Sequence, residues 1–224
     1  MRIKIIFHAQ SVSLPIEYKH VIQGVIYNML NENNYSDYIH DELNINKFCF
    51  SKLFGNHKIA NNKIIFYDSF ELYISSIHKE LIELLIDRFK NNEIIILNQK
   101  IDFVEIYEDK TYIDREEIRI KTLSPVTIHL KDDNNTFYFN PYSSNYNELL
   151  NDNYCNKLGI DNMELFYLKD FKNVKKVISK YKGFIIEAYE FEATLVSDVN
   201  TINLLYHVGL GNKNSIGFGF INLL

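Results

Sequence analysis

VGLGNKNSIGFGF, residues 208–220, contains four of the eight glycines of the 224-residue chain: Gly209, Gly211, Gly217 and Gly219. Glycine is favoured where the backbone takes a positive φ or another backbone comes close, and N–H groups in such loops can bind phosphate. The stretch lacks the Gly-Lys-Ser/Thr ending of a Walker loop and the strand-then-helix context of a Rossmann fingerprint. Two interpretations remain: a phosphate-binding loop that includes Lys213, or a tight hairpin before an edge strand.

The sequence before this glycine-rich tail divides into two similar cycles of strands and helices. Hydrophobic periodicity predicts the first cycle as strand 2–9, helix 16–31 beginning after Pro15, short helix 36–43, strands 48–52, 63–67 and 70–75, helix 78–91, and strands 93–97 and 101–107. Asp68 and Ser69 have the spacing of a hairpin turn between two of these strands. The order β, α, β, β, α, β is that of the ferredoxin-like fold.

A second cycle follows a charged, turn-prone bridge at 109–117. Its predicted elements are strands 118–123, 126–130 and 137–139, helix 144–158, strands 165–168 and 184–196, helix 199–208, and a last strand at 218–223. The sequence thus predicts an α+β fold of two tandem ferredoxin-like (βαββαβ), RNA-recognition-motif-like domains. We place the first domain at residues 1–112 and the second at residues 113–224.

Composition predicts a soluble globular protein. Hydrophobic residues make up 46% of the chain and charged residues 24%, with only three prolines, which excludes a disordered chain. No apolar run approaches the length of about 20 residues that spans a membrane. Cys49 and Cys155 are too few for a disulfide framework, and residues 1–5 do not begin a signal peptide, so a reducing cytoplasm is the expected location.

The net charge of −5 speaks against nucleic-acid binding, but charge is distributed unevenly. The stretch KDFKNVKKVISKYK, residues 169–182, has six lysines against one aspartate, a local charge of +5. Lysines in such a stretch can contact phosphates. They are equally typical of a solvated edge strand that avoids sheet-to-sheet aggregation.

The tail resembles the C-terminal glycine-rich signature of the repeat-associated RNA-binding proteins of CRISPR systems. It is more similar to that of the Cas6 family, the CRISPR-associated endoribonucleases that cut repeat RNA. Three further segments agree in the same order, QGVIYNML (23–30), YIHDELNINKFCFS (38–51) and TLSPVTI (122–128). The resemblance implies cleavage of precursor CRISPR RNA within its repeats, without metal or other cofactor, leaving a 2′,3′-cyclic phosphate and a 5′-hydroxyl.

Three residues match the catalytic triad that the resemblance implies: Tyr27, His40 and Lys47. On a helix, Tyr27 falls opposite the apolar arc formed by Val21, Ile22, Val25, Ile26 and Met29, so it can meet a ligand or a neighbouring domain; an exposed tyrosine is the alternative. Histidine is the commonest general acid or base, although a lone histidine is usually structural or merely exposed.

Several roles stay open at this stage. Tyr27 and His40 can each be the base, and Lys52 can replace Lys47. His40-Asp41 lacks the second histidine and acid set of a metal phosphohydrolase.

The implied partner is CRISPR repeat RNA, held by residues of the tail and of the lysine stretch: Gly209, Gly211, Lys213, Gly217, Gly219, Lys172, Lys175 and Lys176. Subunits of a CRISPR effector complex are further possible partners, and the protein is expected to be a monomer or homodimer away from membranes. The main alternative function is a non-catalytic repeat-RNA-binding subunit of such a complex. An unrelated ferredoxin-like protein that oligomerises through its sheet edges would have no affinity for repeat RNA.

Overall fold

The structure, a computed structural model, describes residues 1–31, 48–132, 135–161 and 164–224. Its helices are α1 (Lys19–Asn31), α2 (Lys79–Asn91), α3 (Tyr146–Leu158) and α4 (Val199–Val208). Its strands are β1 (Arg2–Pro15), β2 (Cys49–Phe50), β3 (Phe54–Ala60), β4 (Lys63–Ser75), β5 (Ile95–Ile96), β6 (Gln99–Lys100), β7 (Phe103–Asp109), β8 (Glu117–Thr122), β9 (His129–Asp132), β10 (Asn135–Tyr138), β11 (Phe166–Tyr181), β12 (Phe184–Ser197) and β13 (Ile221–Leu223). Within these ranges, no helix combines the length and the apolar character needed to cross a membrane.

The N-terminal half is an antiparallel sheet with two helices on one face. Its strands lie in the order β2-β4-β1-β7, and β3 also pairs with β4. Alternation along β1 explains which face is covered, because Ile3, Ile5 and Phe7 are buried while Lys4 and His8 are not. The buried side chains of α1 and α2 join this face in one core. This half has the ferredoxin-like architecture that the sequence predicts.

The C-terminal half has a second antiparallel sheet in the order β11-β12-β8-β13. Helices α3 and α4 contribute Tyr154, Leu150, Ile202 and Leu205 to a separate core with the inner face of this sheet. Strands β9 and β10 form a two-stranded hairpin outside it. Two cores in one chain of antiparallel sheets and helices confirm the tandem ferredoxin-like fold class.

The structure corrects the predicted strand pattern at Asp68 and Ser69. These residues form no hairpin turn, because β4 continues through them and Asp68 takes a positive φ where the register of β1 against β4 shifts. The hairpin turn lies instead at Asn61-Asn62, which connects β3 to β4 with positive φ at both positions. That is the geometry of a type I′ turn, and asparagine is one of the residues that tolerates it.

Two other predictions are wrong in their extent. Residues 93–97 do not form a strand of the main sheet, because Ile95–Ile96 pairs with Gln99–Lys100 across a tight turn at Leu97-Asn98. The predicted strand 165–168 is only the start of the 16-residue β11. The predicted helix 36–43 lies outside the described residues.

Arg2 joins the two halves. Its side chain is 2% exposed, and its guanidinium donates to the carbonyl oxygens of Tyr206 at 3.3 Å and Ile221 at 2.7 Å. The same guanidinium lies 3.6 Å from the ring centre of Tyr206 and 4.3 Å from that of Phe220. A buried cation needs such partners. These contacts attach β1 to residues near the C-terminal end of the chain.

Candidate functional site

The glycine-rich tail is a tightly packed loop between α4 and β13. At Gly219, φ is +77°, and a Cβ atom would lie 2.0 Å from the carbonyl oxygen of Leu210. At Gly211, φ is +67°, and a Cβ atom would lie 2.5 Å from the carbonyl oxygen of Thr127. Any side chain at either position would therefore push the loop apart.

Two polar side chains hold the tail from within. Asn214 is fully buried, and its amide nitrogen donates to the carbonyl oxygens of Leu210 at 3.1 Å and Phe218 at 3.2 Å. The ammonium of Lys157, on α3, donates to the Asn214 side-chain oxygen at 2.8 Å and to the Gly211 carbonyl oxygen at 2.6 Å. Burial lowers the pKa of Lys157 to about 8. No sequence pattern marks Lys157, which is an ordinary lysine in the last turn of a helix.

Most of the tail's glycine N–H groups serve the fold. Those of Gly209, Gly217 and Gly219 donate to carbonyl oxygens of the protein, at 2.8, 3.1 and 2.9 Å. All four tail glycines are buried, whereas Lys213 and Ser215 are partly exposed. The partly exposed residues of the tail are therefore Asn212, Lys213, Ser215 and Ile216 rather than the glycines.

One stripe of α1 runs along the tail. Lys19, Gln23 and Tyr27 follow each other at intervals of four residues, so they share one side of the helix. The ammonium of Lys19 lies 3.3 Å from the ring centre of Phe218, and the Gln23 amide donates to the Ser215 carbonyl oxygen at 3.0 Å. We use the name seam for the region formed by this stripe of α1, the tail (residues 208–220) and β11 (Phe166–Tyr181).

Tyr27 lies at the seam, and it packs against the edge of the N-terminal core instead of pointing away from it as its helical position predicts. Its ring packs edge-on against Phe48 at 5.4 Å between centres, and the phenol is half-buried. Burial raises the pKa of Tyr27. Tyr181, at the end of β11, donates its hydroxyl proton to the Gln23 side-chain oxygen, and burial together with the neighbouring Tyr27 raises the pKa of Tyr181.

A cleft of about 480 Å³ opens beside the start of α1. The ammonium of Lys19 is inaccessible to solvent, and no hydrogen-bond acceptor contacts it among the described residues. Burial lowers the pKa of Lys19 to about 7, against the opposing effect of Glu190. Lys52, the alternative catalytic lysine, also borders this cleft, where its ammonium pairs with the Glu190 carboxylate at 2.5 Å.

The lysine stretch lies in β11, at the edge of the C-terminal sheet, as one of its two interpretations predicts. The neighbouring strand β12 places glutamates opposite it: Lys172 faces Glu192 and Lys175 faces Glu190. Lys176 forms an ion pair with Glu187 at 2.6 Å, and Lys169 pairs with Glu117 at 3.0 Å. Two of the six lysines are thus paired with carboxylates, and two more lie opposite glutamates in the strand register.

Two of the three predicted catalytic residues, His40 and Lys47, lie outside the described residues. Tyr27 is described, as are the predicted RNA-binding residues of the tail and β11. Strand β2 begins at Cys49, directly after the segment that contains His40 and Lys47, and the Cys49 thiol contacts the Phe218 carbonyl oxygen at 3.5 Å. In the described ranges, no three His, Cys, Asp or Glu side chains are grouped as metal ligands.

Models of one protein family match both halves of the chain. The model of the C-terminal part of CRISPR-associated protein Cas6 matches residues 106–223, and that of the N-terminal part matches residues 13–106. The two matches adjoin at residue 106 and together identify a CRISPR-associated protein. It belongs to the Cas6 family, which confirms the resemblance drawn from the sequence.

Individual relatives agree over nearly the full length. A protein of Methanocaldococcus jannaschii named CRISPR-associated endoribonuclease Cas6 2 is 26% identical in an alignment of 228 positions that covers 91% of this chain and 91% of the relative. A solved structure described as CRISPR associated protein Cas6 superposes with a TM-score of 0.76 at 22% identity, covering 100% of this chain and 99% of the other. A Cas6-related protein from Pyrococcus furiosus gives a TM-score of 0.80 at 19% identity, with coverages of 100% and 98%. These structures show the same fold.

Proposed function

We propose that the protein is an endoribonuclease that cleaves precursor CRISPR RNA within its repeats without a metal ion. One observation carries the proposal. Tyr27, in a segment that resembles the cutting family, lies one helical turn after Gln23, whose amide contacts the tail that marks the same family. The name of the Methanocaldococcus jannaschii relative supports the activity.

The reaction needs three functions that Tyr27, His40 and Lys47 can supply. A base takes the proton of the 2′-hydroxyl, and the 2′-oxygen then attacks the adjacent phosphorus. The bond from phosphorus to the 5′-oxygen breaks, and an acid protonates that oxygen. A cation stabilises the charge on the phosphorane. The products are a 2′,3′-cyclic phosphate and a 5′-hydroxyl.

The environment of Tyr27 favours one distribution of these roles. Because burial raises the pKa of Tyr27, its phenol is protonated at neutral pH and can donate a proton but is a weak base. We therefore assign the acid to Tyr27 and the base to His40. The ion pair of Lys52 with Glu190 supports Lys47 as the cation, because the charge of Lys52 is already balanced.

Repeat RNA would contact Lys213 on the tail and the lysines of β11. Lys213 is partly exposed and lies close enough to Lys131 for each charge to affect the other, so burial and Lys131 both lower the pKa of Lys213. Two cations on one surface attract phosphate, but they carry no sequence information. Sequence selectivity must come from contacts to bases.

The test is cleavage of labelled repeat RNA, taken from the CRISPR array of the source genome, in excess EDTA. We expect the wild-type protein to cut once per repeat, leaving a 2′,3′-cyclic phosphate. Tyr27→Phe and His40→Ala should slow cleavage by about 100-fold or more while RNA binding persists. His57→Ala, which changes an exposed histidine on β3, is the matched control and should cut normally.

Each result separates the alternatives. Binding without cleavage by the wild-type protein would indicate a non-catalytic RNA-binding subunit. Cleavage abolished by EDTA and restored by a divalent ion would refute the metal-independent mechanism. No affinity for repeat RNA would refute both the endoribonuclease and the RNA-binding subunit as functions of this chain.

A further inference from the structure

Phe184, at the tip of the β11–β12 hairpin, is 75% exposed, the largest exposed fraction of any large hydrophobic residue described. The tip is a two-residue turn at Lys182-Gly183, with positive φ at both positions. Burying a phenylalanine normally contributes to stability, so one held almost fully in solvent contributes little to the fold. It is a candidate contact for a ligand.

Phe184 lies on the face of the hairpin that contacts α1 and the tail. Tyr181 and Phe184 are directly opposite in the strand register, so they lie on the same face of the hairpin. Tyr181 contacts Gln23 and lies next to Tyr27. Farther along the same face, Ile186 and Ala188 pack against Phe218 of the tail. Phe184 therefore extends a surface that already contacts α1 and the tail.

The tip is held in place before any ligand arrives. On one side the Tyr181 hydroxyl is bonded to α1. On the other side the hydroxyl of Tyr138, on β10, donates to the carbonyl oxygen of Ile185 at 3.0 Å. A ligand that stacks on Phe184 would thus meet an aromatic ring on an ordered support.

The charge around the tip favours an anionic ligand. Residues 177–186 contain Lys180 and Lys182 and no acidic residue, whereas the glutamates of β12 begin at Glu187, which pairs with Lys176. Lysines 169–176 are thus opposed by carboxylates, and those at the tip are not. An exposed aromatic ring at a hairpin tip that also carries unopposed lysines is a combination that binds single-stranded nucleic acid by base stacking.

We propose that Phe184 is a stacking platform for an unpaired base of the bound RNA. This inference rests on the proposed function and adds a base contact at a residue for which the family resemblance gave no role. It also moves the main basic contact of the hairpin from Lys172, Lys175 and Lys176 to Lys180 and Lys182 at its tip.

The test uses the absence of tryptophan from the sequence. Phe184→Trp introduces a single tryptophan whose fluorescence is quenched when a base stacks on it. The probe is the same repeat RNA, with a 2′-deoxynucleotide at the cut site if the wild-type protein cleaves. We expect quenching with Phe184→Trp, affinity within about twofold of wild type, and a loss of affinity of about 5- to 100-fold with Phe184→Ala.

Phe103 provides the matched controls. It is 57% exposed on β7 of the N-terminal half, where its ring stacks on His8 beside Glu105. Phe103→Ala should bind RNA like wild type, and the tryptophan of Phe103→Trp should not be quenched. Because both phenylalanines are exposed, neither alanine variant should unfold the protein.

The outcomes also separate this inference from the proposed function. Wild-type cleavage, with unchanged affinity of Phe184→Ala and no quenching of Phe184→Trp, overturns the stacking platform and leaves the ribonuclease standing. Quenching and weakened binding without cleavage by the wild-type protein support the platform and overturn the catalytic proposal. Weakened binding of Phe103→Ala to the same extent would show a nonspecific effect and overturn the platform.

Discussion

Lys157→Met removes the buried ammonium that holds the tail, and its clearest consequence is a change in how stability depends on pH. The variant keeps most of the side-chain volume but loses the hydrogen bonds to Gly211 and Asn214. Each acceptor left without a partner costs about 1–3 kcal/mol. Against this, the variant no longer has to keep a charge in a buried position.

The pKa of Lys157 sets the size of the effect. A tenfold change in proton affinity is worth about 1.4 kcal/mol, so lowering the pKa of Lys157 from 10.5 to about 8 costs the folded state about 3 kcal/mol at neutral pH. Raising the pH above about 8 removes the proton from folded protein before it leaves the unfolded chain, which stabilises the folded state. Between pH 7 and 9.5, the wild-type protein should gain about 2 kcal/mol of unfolding free energy relative to Lys157→Met.

Urea denaturation followed by far-ultraviolet circular dichroism measures this difference. The titrations of tyrosines and of other lysines are common to both proteins and cancel when the two unfolding free energies are subtracted. Lys180→Met, at an exposed position of β11, is the control and should leave the difference from wild type independent of pH. A constant gap between the wild-type protein and Lys157→Met across this range would refute the lowered pKa and the buried ammonium.

Two further predictions concern the tail and the contact between the halves. Gly219→Ala should lower the unfolding free energy by about 3 kcal/mol or more, because its Cβ would overlap the Leu210 carbonyl oxygen. Gly24→Ala, in an open position on α1, should be neutral or stabilise the protein by up to about 1 kcal/mol. Thermal denaturation compares the two variants, and equal melting temperatures would contradict the tight packing at Gly219. Arg2→Met should destabilise by about 3 kcal/mol in urea titrations, since it leaves two buried carbonyl oxygens and Asp109 without their cation. An unchanged midpoint would show that Arg2 does not hold the halves together.

Local patterns in the sequence were enough to predict the four described helices and the fold class. Helices α2 and α4 have apolar residues at helical spacing, and the structure places both within one residue of the prediction. Turns and strand lengths were harder to predict than helices. Asp68-Ser69 and Asn61-Asn62 both have residues suited to turns, and only pairing with β1 shows that the chain continues straight through the first.

The lysine-rich stretch was predicted as an edge strand in only one of two interpretations, because its hydrophobic pattern is weak and its pairing depends on a partner strand. Alternating apolar residues are sparse between Lys169 and Lys176, and β12 stabilises this stretch through glutamates that lie far away in the sequence. The same strand pairing changes which lysines of residues 169–182 are expected to bind phosphate. A run of six lysines indicates a phosphate-binding surface when considered alone, but only Lys180 and Lys182 at the hairpin tip lie beyond the opposing carboxylates.

The surroundings of Tyr27 were not predictable from helical periodicity. The periodicity predicts that Tyr27 points away from the core, but the residue packs against the core beside Phe48. Phe48 comes from another part of the chain, and so does Tyr181, whose pKa is raised by the neighbouring Tyr27. Gln23 was noticed only as part of a resembling segment, although it bridges the tail and β11. Side chains that bridge two halves have no periodicity of their own, so sequence patterns do not reveal them.

The glycines of the tail can now be separated from its function. A Cβ atom at any of the four would lie within 2.7 Å of another atom of the protein, so packing alone accounts for every one of them. The glycine signature therefore reports the fold, and a relative that does not cut RNA would need it equally. The proposed chemistry must instead distinguish the cutting proteins, and Tyr27 is the described residue to which we assign a part in it. The tail's contribution is positional, because its contacts with Gln23 and Lys19 hold Ser215 and Phe218 against α1, the helix that carries Tyr27.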